Sequence, residues 1–294
     1  MYASPFQYVR AGSWAEAVER LAAGGEDARA IAGGQSLAPM MMLRMSEPEL
    51  LVDVNGAADR TVERANGSLR ISALARHVDL EGSGAVRAAF PALSEAAGVI
   101  GNVRVRHRGT IGGSLAHADP SAELPCVVLA AGASVRTLGP NGERTVPASE
   151  LFVSHFTTTL EPGELITAVH VPALRPGQGC AFLEHARRAG DFATVEVCAF
   201  VELGADGRCA DARLVVGATA DRPLDASASI EALRGEEPER AAAEAARVAA
   251  AAVEVGPSSH GSEEYRRELV GVLARRALLA AAARARGGEP EWTG

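Results

Sequence analysis

Hydrophobic positions along this chain fall into short apolar runs and longer helical stripes, separated by Gly, Pro and Asn-Gly punctuation. Ser13 followed by Glu16 makes a capping box and predicts a helix to about Ala23. Buried strands are predicted at 30–32 and 51–54, with a short apolar helix over 37–45 between them. Asn66-Gly67 and Asn141-Gly142 each sit between two strand-like runs. They predict two hairpins, 61–64 with 69–73 and 135–138 with 144–146. Residues 85–100 read as helical, restarted at Pro91. The stretch 110–131 reads as a glycine turn and then a helix, with Asp119 as N-cap and Pro120 as first residue. A strand at 165–171 ends at Pro172.

The run Leu174-Arg175-Pro176-Gly177-Gln178-Gly179 reads as a boundary, which puts one domain at 1–175 and another at 176–290. Beyond it come three strands, 180–185, 195–203 and 209–216, and then three helices near 226–234, 239–253 and 262–286. Strands followed by grouped helices predict an α+β fold in both parts.

Composition matters mainly through what it excludes. The formal net charge is −8, and every one of the 29 basic residues is arginine. Without lysine there is no Schiff-base chemistry and no intact lysine-containing P-loop. The acidic balance argues against nucleic acid as a partner. No apolar run reaches the roughly 20 residues that span a bilayer, so no membrane span is expected. The opening MYASPFQYVR lacks a signal-peptide pattern, and the expected setting is cytoplasmic. Cys126, Cys180, Cys198 and Cys209 have no metal-ligand spacing. They read as free thiols, with no metal or cluster expected on this chain.

Two glycine segments carry the chemistry, Ala32-Gly33-Gly34-Gln35-Ser36-Leu37 and Thr110-Ile111-Gly112-Gly113-Ser114. Each follows an extended stretch and leads into a helix. Paired glycines allow close approach of the backbone to a ligand, and successive N–H groups in such turns bind anions. A diphosphate can be held this way without lysine. Tight turns that simply need glycine are the alternative for each segment taken alone. Gly34-Gln35-Ser36-Leu37-Ala38 also comes within one residue of the G-x-S-x-G elbow, which leaves open a serine hydrolase using Ser36.

The segments together, extended from Ile100 through Pro125 and joined by Arg187-Arg188-Ala189-Gly190-Asp191-Phe192-Ala193-Thr194-Val195, resemble one family over essentially the whole chain. It is the FAD-binding medium subunit of molybdenum hydroxylases, the group containing xanthine dehydrogenase and carbon monoxide dehydrogenase. The resemblance implies a two-part FAD-binding domain of mixed sheets and helices, of the PCMH or vanillyl-alcohol-oxidase-like type. A smaller domain, a three-stranded antiparallel sheet with a helix bundle, would follow it.

It also implies roles for individual residues. Ala32, Gly33, Gly34, Gln35, Ser36 and Leu37 would wrap the FAD diphosphate. Thr110, Ile111, Gly112, Gly113 and Ser114 would hold it from the other side. Glu123 would bond the adenosine ribose. Ile100 and Ile166 are candidates for contact with the cofactor, with ordinary core as the alternative. His117 and Asp119 would lie near it, with helix entry as the alternative. Arg104, Arg106 and Arg108 could add positive charge or form a solvated or partner-facing surface. Where many relatives have lysine, this chain has Met42, and where some have a lysine reaching the cofactor it reads Phe182-Leu183-Glu184. Ser114 stands where asparagine is common.

The implied complex is a dimer of heterotrimers. A large partner would carry the molybdenum cofactor and a small one two [2Fe–2S] clusters. This chain would pass electrons through FAD to NAD, quinone or oxygen. The subgroup with an inserted iron–sulfur loop is excluded for lack of a cysteine cluster. An assembly subunit that has lost FAD is the remaining alternative.

Overall fold

The computed structural model describes residues 2–259 and 261–290. The chain begins with β1 (Gln7–Arg10), α1 (Trp14–Gly24), β2 (Ala28–Ile31), α2 (Leu37–Met42) and β3 (Leu50–Asp53). The capping box forms as the sequence predicts. Glu16 N–H donates to Ser13 Oγ at 3.1 Å, and Gly12 N–H to Glu16 Oε2 at 2.9 Å. The three strands make a parallel sheet in the order β1-β3-β2, and the apolar stripe of α1 closes a small core over it.

The chain then enters a second layer. It comprises β4 (Val62–Ala65), β5 (Ser68–Ser72), α3 (His77–Gly82), α4 (Gly84–Ala89), α5 (Pro91–Val99), α6 (Val103–Arg106), α7 (Ile111–His117), α8 (Glu123–Ala130), β6 (Ser134–Gly139), β7 (Gly142–Pro147), α9 (Ala148–Leu151), β8 (Phe152–Ser154), β9 (Thr157–Thr158) and β10 (Leu165–Pro172). Both hairpins appear as predicted. The first turns through Asn66 at φ 50° and Gly67 at φ 74°, the geometry that Asn-Gly tolerates. The sheet order is β4-β5-β10-β6-β7, antiparallel throughout. Glu164 is buried beside it and held by Arg144 and Thr137, contacts that keep its carboxyl at about 2 against the opposing pull of burial.

The remaining elements are β11 (Gln178–His185), β12 (Val195–Leu203), β13 (Cys209–Gly217), β14 (Leu224–Asp225), α10 (Pro238–Ala252) and α11 (Glu263–Ala285). The three long strands expected here are joined by the two-residue β14, so the antiparallel sheet has four strands. The segment 226–234, expected as an α-helix, is a 3₁₀ turn over Ser227–Leu233. Both faces of this sheet are covered. Ala181, Val197, Ala199 and Val216 face α10 and α11, while Cys180, Phe182, Cys198 and Val215 join the core of the preceding layers. That second contact packs β12 and β13 against α8 and β11 against α5. The four cysteines are free and buried. Among the described residues no helix is long and apolar enough to cross a membrane.

Candidate functional site

The first glycine segment is the connection between β2 and α2. Gly34 takes φ 71°, which reverses the chain at the end of the strand. Among the described residues, the N–H groups of Gly33, Gly34, Gln35 and Ser36 have no protein partner. Gly33 is buried, Gly34 half-buried, and Gln35 and Ser36 are exposed; consecutive unpaired backbone donors are the arrangement by which a turn can bind an anion. Gln35 turns its side-chain amide back onto Gly33 O at 3.2 Å, bracing the turn.

The second segment differs from its sequence reading. The glycine pair lies inside a helix. Thr110 caps α7, its Oγ1 accepting from Gly113 N–H at 3.1 Å. The N–H groups of Ile111 and Gly112 donate to Ala75 O and Ala73 O at 3.1 and 2.9 Å, and Ser114 N–H donates to Thr110 O. The N–H groups from Ile111 to Ser114 are therefore used within the protein. Gly112 is required for packing, because a Cβ there would lie 2.5 Å from Ala73 Cβ. The helix ends at Ala118 in the left-handed region. Asp119 and Pro120, expected to open the helix after the glycine turn, do not begin one. Asp119 Oδ1 accepts from Ser121 N–H at 2.9 Å in the turn before α8, which begins at Glu123 behind an uncapped Ala122. Local propensity favoured Asp-Pro as a helix entry, but the left-handed Ala118 and the Asx turn override it.

The fold brings the two segments together. Gly33 packs on Arg108 and Gly109; a Cβ on it would stand 2.8 Å from Gly109 Cα. Beneath the contact lies Arg76, a residue that motif reading missed. It is 2% exposed, and its guanidinium donates to Arg108 O and, at 2.6 Å, to Asn55 Oδ1. Asn55 donates onward to Ala32 O at 2.8 Å. One buried cation thus ties both turns. Burial, with Arg60 and Arg108 nearby, pushes it down to about 10, so it stays charged at neutral pH. Its Nε has no partner. Asn55 also donates to Asp53, as does the Tyr8 hydroxyl at 2.5 Å. Burial works against ionisation of Asp53, but these bonds outweigh it and keep the carboxyl below its usual range. Arg76 was visible in the sequence as a charge within the apolar run that starts at Ile71, a weak signal. Arg76→Met is expected to destabilise the protein by about 2–4 kcal/mol, because Arg108 O and Asn55 Oδ1 lose their donor. A urea titration measures this.

The other predicted positions sit around this centre. Ser36 is exposed at the start of α2, without a side-chain hydrogen bond. Leu37, the first residue of α2, is half-buried. Ile100 and Ile166 are buried in the main core; Ile166 lies on β10, against which α7 packs. Arg106 is engaged by Glu81 at 2.9 Å, while Arg104 sits exposed in the last turn of α6. The third segment reaches the site because Gly190 packs on Gly101 O, next to Ile100. Phe192, Val99 and Val103 are exposed apolar side chains of these same segments. His117 is half-buried, its ring centroid 5.0 Å from that of Phe156, and burial lowers its basicity despite Asp119. Glu123 is buried at the start of α8, and burial, reinforced by Glu184 and Asp119, raises it to about 8.

A family model described as the FAD binding domain in molybdopterin dehydrogenase matches residues 4–174. The CO dehydrogenase flavoprotein C-terminal domain matches residues 180–281. The chain is 43% identical over 287 residues to 6-hydroxypseudooxynicotine dehydrogenase complex subunit alpha of Paenarthrobacter nicotinovorans, covering 96% of each. It is 36% identical to the carbon monoxide dehydrogenase medium chain of Afipia carboxidovorans, over 97% of this chain and all of that one. Among solved structures it superposes on carbon monoxide dehydrogenase from Hydrogenophaga pseudoflava with a TM-score of 0.92 at 37% identity, covering 97% and 99% of the two chains. The unpaired donors of the first turn and this agreement over nearly the full length lead to one assignment: the chain belongs to the family of FAD-binding medium subunits of molybdenum hydroxylases, an oxidoreductase family.

Proposed function

We propose that this chain is the electron-transferring flavin subunit of a three-part dehydrogenase or hydroxylase, with the FAD-binding domain at 1–175 and the CO-dehydrogenase-flavoprotein-like domain at 176–290. The observation that carries the reading is the run of unpartnered N–H groups from Gly33 to Ser36, braced against Arg108 and Gly109. The residues present fit an FAD diphosphate. The turn supplies free donors, the exposed Gly113 leaves room, and Arg76 below supplies positive charge.

In this reading Ala32 to Leu37 wrap the diphosphate. Thr110 and Ile111 fix α7, so that Gly112, Gly113 and Ser114 border the same ligand. Glu123 holds the adenosine ribose, with Asp119 and His117 shaping the turn beside it. Ile100 and Ile166 form the apolar floor toward the flavin ring. When bound, FAD would supply the redox chemistry between [2Fe–2S] clusters of a small partner and an acceptor, NAD, quinone or oxygen. The chain's own part is to hold, orient and shield. No side chain here needs to act as base or nucleophile, and among the described residues no histidine is hydrogen-bonded to Ser36.

The molybdenum cofactor belongs to a large partner in this reading. Relatives named as a complex subunit or medium chain support that assignment; the assembly in this reading is a dimer of heterotrimers. The exposed Val99, Val103 and Phe192 are available to a partner. Four buried free thiols support a cytoplasmic setting. Purification of the native protein is expected to give about one FAD per chain by absorbance, with iron and molybdenum in co-purifying subunits. A folded chain without flavin would overturn the reading in favour of an assembly role.

A further inference from the structure

Arg266 lies near the start of α11 and is only 3% exposed. A cation there is opposed twice, by burial and by the positive end of the helix dipole. Among the described residues no carboxylate is hydrogen-bonded to it. Its acceptors are three main-chain carbonyls: Nε donates to Thr194 O at 3.3 Å, Nη1 to Gly256 O at 2.5 Å and Nη2 to Ala218 O. Those carbonyls belong to the entry of β12, the connection from α10 to α11 and the exit of β13. A buried arginine whose donors all go to backbone oxygens of separate segments fixes those segments relative to one another.

Ala218 connects this clamp to the cofactor site. It follows directly on β13 and takes φ 62°, a left-handed conformation that a residue with a Cβ adopts at a cost. Its N–H donates to Pro120 O at 3.0 Å, and its carbonyl accepts from Arg266. The next residue is tied to the same arginine: Gly256 N–H donates to Thr219 O at 2.8 Å, while Arg266 holds the Gly256 carbonyl. Pro120 stands in the turn between α7 and α8. Within that turn Ser121 N–H donates to Asp119 Oδ1 and Ala122 N–H to Asp119 O at 3.1 Å. Glu123 opens α8 immediately afterwards, behind an Ala122 that offers no side-chain cap. The seating of the turn therefore decides where Glu123 emerges, and on the side of β13 that seating is the bond from Ala218 to Pro120.

We propose that Arg266, a residue of the second domain, is a positioning residue for the adenosine half of the cofactor: by holding Ala218 in its left-handed conformation it seats the Pro120 turn and so places Glu123 for the ribose. The proposal rests on the FAD site proposed above. Without the guanidinium, Ala218 relaxes to a right-handed or extended conformation, its N–H swings away from Pro120 O and the turn loses its anchor. Glycine populates the left-handed region freely. A glycine at 218 therefore keeps its N–H on Pro120 O whether or not Arg266 is present. A side chain that only fills space at 266 would create no such dependence on the backbone freedom of residue 218.

The test is titration of FAD into the full chain, freed of flavin and followed by flavin fluorescence, with ADP as a competitor that carries only the adenosine half. Arg266→Met is expected to weaken FAD and ADP alike, by about tenfold. Arg266→Met combined with Ala218→Gly is expected to regain wild-type affinity for both. Wild-type FAD affinity in a folded Arg266→Met protein overturns the proposal, as does a loss for FAD that ADP does not share. A folded double variant that binds no more tightly than the single one overturns it too. If Arg266→Met does not fold, Arg266→Lys takes its place, because a compact ammonium does not span three carbonyls on three segments. A gain in affinity on adding Ala218→Gly to that variant then supports the proposal, and no gain overturns it. Failure of the wild-type chain to bind FAD would instead overturn the underlying site.

Discussion

Gly33→Ala is expected to empty the protein of FAD, weakening binding by more than about 100-fold. A Cβ on residue 33 would lie 2.8 Å from Gly109 Cα and 2.9 Å from the carbonyl carbon of Arg108. Ordinary carbon contacts need roughly 3.5–4 Å. Neither neighbour can swing aside. The Arg108 carbonyl is held by Arg76, and the Gly109 carbonyl accepts from His77 N–H at 3.2 Å. The first turn must therefore retreat, and its free donors with it. Losing two charge-assisted hydrogen bonds to a diphosphate costs about 3 kcal/mol or more. The flavin-to-protein absorbance ratio after gel filtration reads the effect, and circular dichroism checks that the chain is folded. Wild-type flavin content in the variant would remove this turn from the site.

Gly179→Ala is expected to have the largest effect on stability, a loss of about 3 kcal/mol or more. Gly179 lies on β11 where α11 crosses it, and an added Cβ would meet Ala281 O and stand 2.6 Å from Ala285 N. Both are backbone atoms of a 23-residue helix. The helix approaches this closely because it buries alanines such as Ala274, Ala277 and Ala281 against the sheet. To make room, α11 must lift along several turns and disturb the pairing of Arg284 with Glu95 and Cys180 O, which joins the two parts of the chain. At roughly 2–4 °C per kcal/mol for a domain of this class, the melting temperature should fall by roughly 6–12 °C. Calorimetry of the purified variant measures it. An unchanged melting temperature would mean that α11 can slide over β11 without loss.

Much of the architecture was legible in the residue order. The capping box at Ser13 and Glu16, the two Asn-Gly hairpins, the restart at Pro91 and the three long strands beyond residue 177 rest on interactions between residues near in sequence. Local propensity and turn chemistry decide such features. The second glycine segment was misjudged for the complementary reason. Gly112 and Gly113 looked like a turn because glycine weakens helices, yet the fit of Gly112 against Ala73 and the cap from Thr110 made a helix the better choice.

The sequence by itself determined the family, the two-part α+β plan and the first glycine turn, because each is written in contiguous residues. Only the tertiary structure decided how the site is held. Arg76, Asn55, Arg108 and Gly33 are scattered in sequence and meet because β2, β3 and α7 converge. Likewise Arg266 showed only as one of the two arginines that follow Tyr265. The packing of α11 on the last sheet brought it to Ala218, and through Ala218 to Pro120. Burial and field at a point in space depend on every chain segment that reaches it, and no local pattern contains that sum. The absence of lysine falls between the two: composition shows it, but only the fold shows a buried arginine supplying the charge at the turn.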